Sequence, residues 1–320
     1  MSIIRLVLFL LCCWVTPLAW SQDAQGWLQR MSQAARNLNY SGVFVYQSGG
    51  RSESSRISHW TDASGEHERL EALDGTPREV LRNNEEVQSF FPASKLVVID
   101  RAAKERFPRA LASKGSALAD YYNIRLGGIV RVVARDAQLV YLEPRDDMRY
   151  GHQFWADLET GLLLKARMQG EGGQVVEQFA FTEIMLGVLP ERERLKPRNF
   201  GAGEWKVVDA RGSELRIEDL PWNLKALPMG YRPVALSQRV MRKEGPEVLH
   251  LVLSDGLASI SVFIEPLSRT KGVNLDQKPA GTGATGIFRR VVGEHLVTVI
   301  GEAPLLAIRR VAEALEARNK

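Results

Sequence analysis

Between Tyr40 and Ile184 apolar and polar residues alternate with a period of two, and glycine and asparagine pairs interrupt the alternation at short intervals. That pattern leaves few folds open, because it places alternate side chains on opposite faces of extended strands. Gly42-Val43-Phe44-Val45-Tyr46, Arg56-Ile57-Ser58-His59-Trp60 and Arg78-Glu79-Val80-Leu81 each read as a strand. Ser48-Gly49-Gly50, Ser64-Gly65, Asp74-Gly75 and Asn83-Asn84 fall where hairpin turns need residues that tolerate a left-handed backbone. The pattern resumes over residues 96–100, 130–134, 139–143, 152–157, 162–168 and 175–184, which predicts a large antiparallel sheet.

Two stretches break the period. Residues 23–39 place Trp27, Leu28, Met31, Ala35 and Leu38 three and four apart, the spacing of a helix with one buried stripe. Residues 101–122 also read as helical, with Phe107, Leu111, Leu118 and Tyr121 apolar and Arg101, Lys104, Arg106, Arg109 and Lys114 charged. Many strands with two helices on one face predict a strongly curved sheet that either encloses an apolar groove or fills a core with the same residues.

Residues 187–219 carry little apolar periodicity and read as a domain connection with a short strand near residues 205–208. Strands return at residues 231–241, 248–253, 259–266, 287–292 and 296–301, followed by a helix over residues 303–317 that buries Leu306, Ile308, Val311 and Leu315. The predicted class is therefore α+β. A large curved antiparallel half-barrel with covering helices occupies residues 22–186, and a smaller α+β C-terminal domain occupies residues 220–320. A chain of 320 residues is long enough for two cores.

The amino terminus reads as an export signal over residues 1–21. Arg5 precedes an uncharged run of 15 residues, 6–20, which is shorter than the roughly 20 residues an apolar helix needs to span a bilayer. Ala19 and Ser21 suit the positions before a cut, so the mature chain is expected to begin at Gln22 in the periplasm; an uncleaved short anchor is the alternative. Both cysteines, Cys12 and Cys13, lie inside that segment. A mature chain without cysteine can form no disulfide, thiolate nucleophile or cysteine-ligated metal site. Losing Arg5 leaves 41 basic against 38 acidic side chains, a mild excess with both signs mixed along the chain, unlike the basic stripe of a nucleic-acid binder.

The search for chemistry returns structural readings. His59, His67, His152, His250 and His295 are scattered without metal-ligand spacing, so no metal or cofactor is expected. Glu143, Asp146, Asp147 and Asp157 could hold a cation or serve as an acid pair, but the adjacent pair between Pro144 and Gly151 reads as a hairpin turn. Gly281-Thr282-Gly283-Ala284-Thr285-Gly286 has dinucleotide-fingerprint spacing, yet polar sequence precedes it and a strand follows, so it reads as a loop between strands. No convergent acid, base and nucleophile is apparent, which favours binding over catalysis.

Specific strings carry more. Ser41 through Tyr46, Glu68-Arg69-Leu70, Leu73-Asp74-Gly75 and Arg78-Glu79-Val80 resemble the opening of the bacterial RseB/MucB family. Arg145-Asp146-Asp147-Met148-Arg149-Tyr150-Gly151, Asp157 through Leu162, Leu227-Pro228-Met229-Gly230-Tyr231, the run from Ser254 to Leu267, and Val299-Ile300-Gly301-Glu302 extend the resemblance in order along the mature chain. Ala134-Arg135-Asp136 departs from the Ala-Gly-Arg turn of many relatives, which leaves that hairpin open, and the paired cysteines of some members are missing.

The resemblance implies a periplasmic negative regulator of the sigma-E (AlgU-type) envelope stress response. Such a protein binds the periplasmic segment of a membrane anti-sigma factor (RseA/MucA-like), protects it from regulated proteolysis, and releases it on sensing lipid or lipopolysaccharide. It implies a lipoprotein-carrier-like large domain and a small domain that supplies much of the anti-sigma contact. Lys104, Arg106 and Arg109 are the candidate lipid head-group contacts. Arg149, Tyr150, Phe263 and Glu265 are the candidate partner-contact or structural positions. A periplasmic lipid or lipoprotein carrier is the alternative, and a homo-oligomer is left open.

Overall fold

The computed structural model describes residues 18–102, 118–188, 204–240, 247–269 and 280–318. Helix α1 (Leu18–Asn37) opens the described chain. It begins inside the predicted signal and stops two residues short of the expected end, because the Asn39 side chain leaves to accept the Thr61 amide at 2.8 Å. Ala24, Leu28 and Met31 on its inner face are fully buried, and full burial of a side chain such as Leu28 is worth about 1.5–3 kcal/mol.

Strands β1 (Tyr40–Ser48), β2 (Arg51–Asp62), β3 (Gly65–Ala72), β4 (Glu79–Asn83), β5 (Glu86–Phe91) and β6 (Leu96–Arg101) form one succession of hairpins. After residues 103–117, which lie outside the described residues, come β7 (Tyr122–Val132), β8 (Arg135–Pro144), β9 (Gly151–Asp157), β10 (Leu163–Gln169) and β11 (Val175–Leu186). With β12 (Lys206–Asp209) they make one open sheet of 12 strands, ordered β12-β6-β5-β4-β3-β2-β1-β11-β10-β9-β8-β7. Every pair is antiparallel except β12 with β6. Helix α1 packs on one end of this sheet, where Trp27, Leu28 and Met31 meet Tyr122, Ile124, Val140, Leu142, Phe154 and Leu163. Phe44, Ile57, Phe179, Ile184 and Leu186 continue the apolar surface, only partly buried.

The second domain contains β13 (Ser213–Leu215), β14 (Trp222–Leu224), β15 (Arg232–Val240), β16 (Glu247–Ser254), β17 (Ser259–Pro266), β18 (Ala280–Thr282), β19 (Thr285–Val292) and β20 (His295–Gly301). Helix α2 (Leu305–Glu313) and β21 (Leu315–Ala317) end it. Seven strands form a sheet in the order β13-β15-β16-β17-β20-β19-β18. Its inner face buries Leu251, Ile260, Val262 and Val299 against Ala307, Ile308 and Val311 of α2. No helix among the described residues is long and apolar enough to cross a membrane.

The predicted fold class agrees with this architecture, and several elements differ in extent. Arg101 belongs to β6 rather than to a helix, since it lies opposite Glu86 in the β5 register. Tyr122 opens β7, opposite Pro144. Between those two ends, residues 103–117 lie outside the described residues and residues 118–121 are helical. Val133 and Ala134 form the β7–β8 turn with φ of 45° and 62°, so the open hairpin is made without a glycine. The final helix stops at Glu313 because Leu315 and its neighbours pair instead with β14. The region between the domains is anchored on both sides, with β12 joined to β6 and β13 to β15.

Candidate functional site

The turn between β8 and β9 is the segment Arg145–Tyr150, with two acidic and two basic side chains. Its conformation is local: the Asp146 carboxylate accepts the Met148 amide at 3.1 Å, closing an Asx turn. This aims Arg149 out of the large domain and into the small one, where its side chain is wholly buried. Its Nη1 lies 3.4 Å from Asp255 Oδ2, its Nη2 lies 3.6 Å from Asp146 Oδ2, and Nη2 also donates to the Met229 carbonyl. The guanidinium sits 4.6 Å from the Tyr121 ring centre and 5.3 Å from that of Tyr231.

The receiving side is equally built. Asp255 Oδ1 accepts the amides of Leu257 at 2.9 Å and Ala258 at 2.8 Å, while Tyr122 Oη lies 3.5 Å from Oδ2. Burial pushes the Asp255 carboxyl up, and those two amides and Arg149 oppose it. Burial, with Asp255 second, also holds the Tyr122 phenol well above its ordinary range, so it stays protonated and able to donate. Gly230 is required in the Met229 turn, because φ is +84° and a Cβ there would lie 2.7 Å from the Tyr121 ring.

Apolar side chains cross the junction in both directions. Met148 of the large domain packs on the small-domain core, and Leu257 of the small domain packs on the core under α1. Ion pairs close the far side, with Arg239 to Asp100 at 3.4 Å and Arg101 to Glu214 at 2.8 Å. The arrangement joins two folded bodies through a buried cation. Among the described residues no three His, Cys, Asp or Glu side chains group to hold a metal.

The predicted positions distribute unevenly around this junction. Lys104, Arg106 and Arg109 lie outside the described residues. Arg149 is its centre, and Tyr150 follows half-buried, its phenol pushed up by burial and by Glu177. Phe263 and Glu265 lie elsewhere, on the face of β17 turned away from α2; the Phe263 ring stacks on His250 at 4.4 Å, and Glu265 lies opposite Leu296. His250 is lowered to about 4, chiefly by burial and also by Arg239, and His152 is lowered to about 3 by burial, so both rings are neutral near neutral pH.

Sequence reasoning did not single out Asp255, Tyr231, Tyr121 or Tyr122. A signal was nevertheless present. Three of the strings that carry the family resemblance, around Arg149, around Met229–Tyr231 and around Asp255, converge on this one place.

Comparison with known proteins follows the same division. Residues 23–199 match the MucB/RseB N-terminal domain, and residues 216–316 match the MucB/RseB C-terminal domain. The sigma factor AlgU regulatory protein MucB of Pseudomonas aeruginosa is 32% identical over 315 residues, covering 96% of this chain and 95% of the relative. The sigma-E factor regulatory protein RseB of Haemophilus influenzae is 24% identical, covering 91% of this chain and 90% of its own. Among solved structures, the Pseudomonas aeruginosa MucA/MucB complex superposes with a TM-score of 0.73 at 30% identity, over 93% of this chain and 100% of that one. MucB in complex with MucA(peri) gives 0.71, again at 30% identity and over 93% and 100% of the two chains.

Proposed function

The chain belongs to the MucB/RseB family, and from that premise we propose that it is a periplasmic negative regulator of an envelope-stress sigma factor, acting by binding the periplasmic segment of a membrane anti-sigma factor. Occupying that segment would shield it from regulated proteolysis by steric exclusion, with no catalytic step. The observation that carries this reading is likeness over nearly the whole length, both domains included, to a MucB solved together with MucA. The two-domain junction adds support, because a carrier of lipid alone would need only the curved sheet.

Release is proposed to follow lipid or lipopolysaccharide binding to the large domain. The half-buried Phe44, Ile57 and Phe179 beside the α1 core provide apolar surface suited to acyl chains. Lys104, Arg106 and Arg109 would meet the phosphates. Phe263 and Glu265, both partly exposed on one sheet face, would contact the anti-sigma segment. Arg149 is assigned to docking the domains, since its side chain has no exposed surface to offer a partner.

The test is a pull-down of the chain from Gln22 onward against the host anti-sigma periplasmic segment, with and without lipopolysaccharide. Saturable binding reversed by lipopolysaccharide supports the mechanism. Binding insensitive to it keeps the regulator and removes lipid as the signal, and absence of binding favours the carrier. Charge reversal of Lys104, Arg106 and Arg109 to glutamate should weaken lipopolysaccharide binding at least tenfold with circular dichroism unchanged; unaltered affinity removes these head-group contacts.

A further inference from the structure

A second contact between the domains is made of acids. Glu177 on β11 lies opposite Ser48, the last residue of β1. The turn that follows Ser48 meets the β18–β19 turn of the small domain so closely that a Cβ on Gly49 would lie 2.8 Å from the Thr282 methyl, and one on Gly283 would lie 2.0 Å from Ser48 Oγ. Glu302 follows Gly301, the end of β20, which lies opposite Gly286 at the base of that same small-domain hairpin. The half-buried Glu177 and the exposed Glu302 thus come from different domains to the two sides of this close approach. We propose that Glu177 and Glu302 form a proton-operated contact across the domain junction, which holds this edge closed while Glu177 carries a proton and loosens it when the proton leaves.

The surroundings of Glu177 fit that role. Its pKa is raised to about 7, first by burial and then by Glu302, against a smaller opposing effect from the hydrogen bond with Tyr46. The Tyr46 phenol is itself pushed up by burial and by Glu177, so it stays a donor. On β10, Met168 lies opposite Glu177, and on β9 the buried, neutral His152 lies opposite Met168. Tyr150 is the further titratable neighbour, its phenol raised by burial and then by Glu177. On β2, Glu53 lies opposite Tyr46 and Arg51 opposite Ser48, both exposed to solvent.

The direction follows from linkage. An undocked, solvated Glu177 would titrate near about 4.3, so the docked state binds the proton more tightly. Docking at this edge is fully supported below that value and loses the support as pH rises through about 7. Between pH 5.5 and 8.5 the docked-to-undocked ratio should fall on the order of tenfold, after allowance for the partial solvent screening of a half-buried group.

The absence of cysteine after Cys13 makes the experiment direct. Cysteines replacing the exposed Glu171 and Glu294, one in each domain, would carry spin labels, and the distance distribution would be read from pH 5.5 to 8.5 in the chain from Gln22 onward. The undocked fraction should rise about tenfold in the otherwise unchanged protein. It should stay low and flat in E177Q, whose neutral amide can still accept from Tyr46. E302Q should move the midpoint to lower pH and shrink the pH response without abolishing it, because Glu177 would lose its repulsion and keep its burial. A pH-independent distribution in the unsubstituted protein, or E177Q titrating as it does, would overturn the proposal. Far-ultraviolet circular dichroism at each pH separates undocking from unfolding. Neither readout involves the anti-sigma segment, so the outcome stands apart from the regulatory reading.

Discussion

Arg149→Met removes the cation from the domain junction while keeping an unbranched side chain of similar length. The variant loses the pairs with Asp255 at 3.4 Å and Asp146 at 3.6 Å, the hydrogen bond to the Met229 carbonyl, and the stacking against Tyr121 at 4.6 Å and Tyr231 at 5.3 Å. The larger effect is on what stays behind. Asp255 keeps its two amide donors but becomes a buried carboxylate without a counter-charge, and breaking such a pair from one side costs about 3–5 kcal/mol. Because Leu251 and Ile260 pack in one core and Leu28 and Phe154 in another, the loss should fall on docking and leave each core intact. Calorimetry is expected to show one transition in the parent and two in the variant, with the less stable domain unfolding first. Asp255→Leu should behave alike, and the double variant should recover at least half of the loss, since neither charge is then left unpaired. If each single variant costs under about 1 kcal/mol with one transition retained, or if the two losses simply add, the account of Arg149 as a buried pin is wrong.

Two further predictions concern the large domain. Val133 and Ala134 hold positive φ in the β7–β8 turn, where a branched side chain is strained by roughly 1–2 kcal/mol; Val133→Asn with Ala134→Gly should raise the urea midpoint accordingly, and an unchanged midpoint would show that the turn is relaxed. Burial pushes the Asp157 carboxyl up, but Arg135 at 2.6 Å and both the hydroxyl and amide of Thr160 outweigh it and hold the pKa below the usual range. Its stabilisation is therefore present near neutrality and is lost as pH falls through that depressed value, so Asp157→Asn should cost about 1–3 kcal/mol at pH 7 and flatten the acid limb of the stability curve. An acid limb of the same steepness in the variant would assign that loss to other carboxylates.

Legibility in the sequence followed the kind of burial. Strand β17 is predicted with its observed ends, because Ile260, Val262 and Ile264 recur at every second position and bury one face, while Ser261, Phe263 and Glu265 take the other. Strand β3, Gly-Glu-His-Glu-Arg-Leu-Glu-Ala, offers no such alternation. Arg69 is buried against Glu79 on one face, and on the other Glu66 lies 2.9 Å from the buried His59, so both faces carry charges that only their cross-strand partners explain. The chain end misled for the opposite reason. Leu315 continues the apolar spacing of α2, and only its pairing with the distant β14 makes it a strand. The junction lay beyond local pattern altogether, since Arg149 and Asp255 are 106 residues apart and each reads alone as an ordinary turn residue.

The magnitudes also bear on the proposed release. A tenfold proton effect at Glu177 amounts to about 1.4 kcal/mol, well short of the roughly 3–5 kcal/mol that removing one partner of a buried pair such as that at Arg149 costs. Protons alone would therefore loosen one edge of the junction and leave the pin in place. Reversing a docked population from 99:1 to 1:99 takes about 5.5 kcal/mol of differential affinity. Some 4 kcal/mol must then come from the ligand, and at about 0.8 kcal/mol per buried methylene that is five methylenes more in the released arrangement than in the docked one. A phosphate alone, pairing with basic side chains in water, supplies much less. The ligand able to work this junction is thus one with acyl chains, and a deacylated saccharide carrying the same phosphates should bind the large domain without releasing the anti-sigma segment.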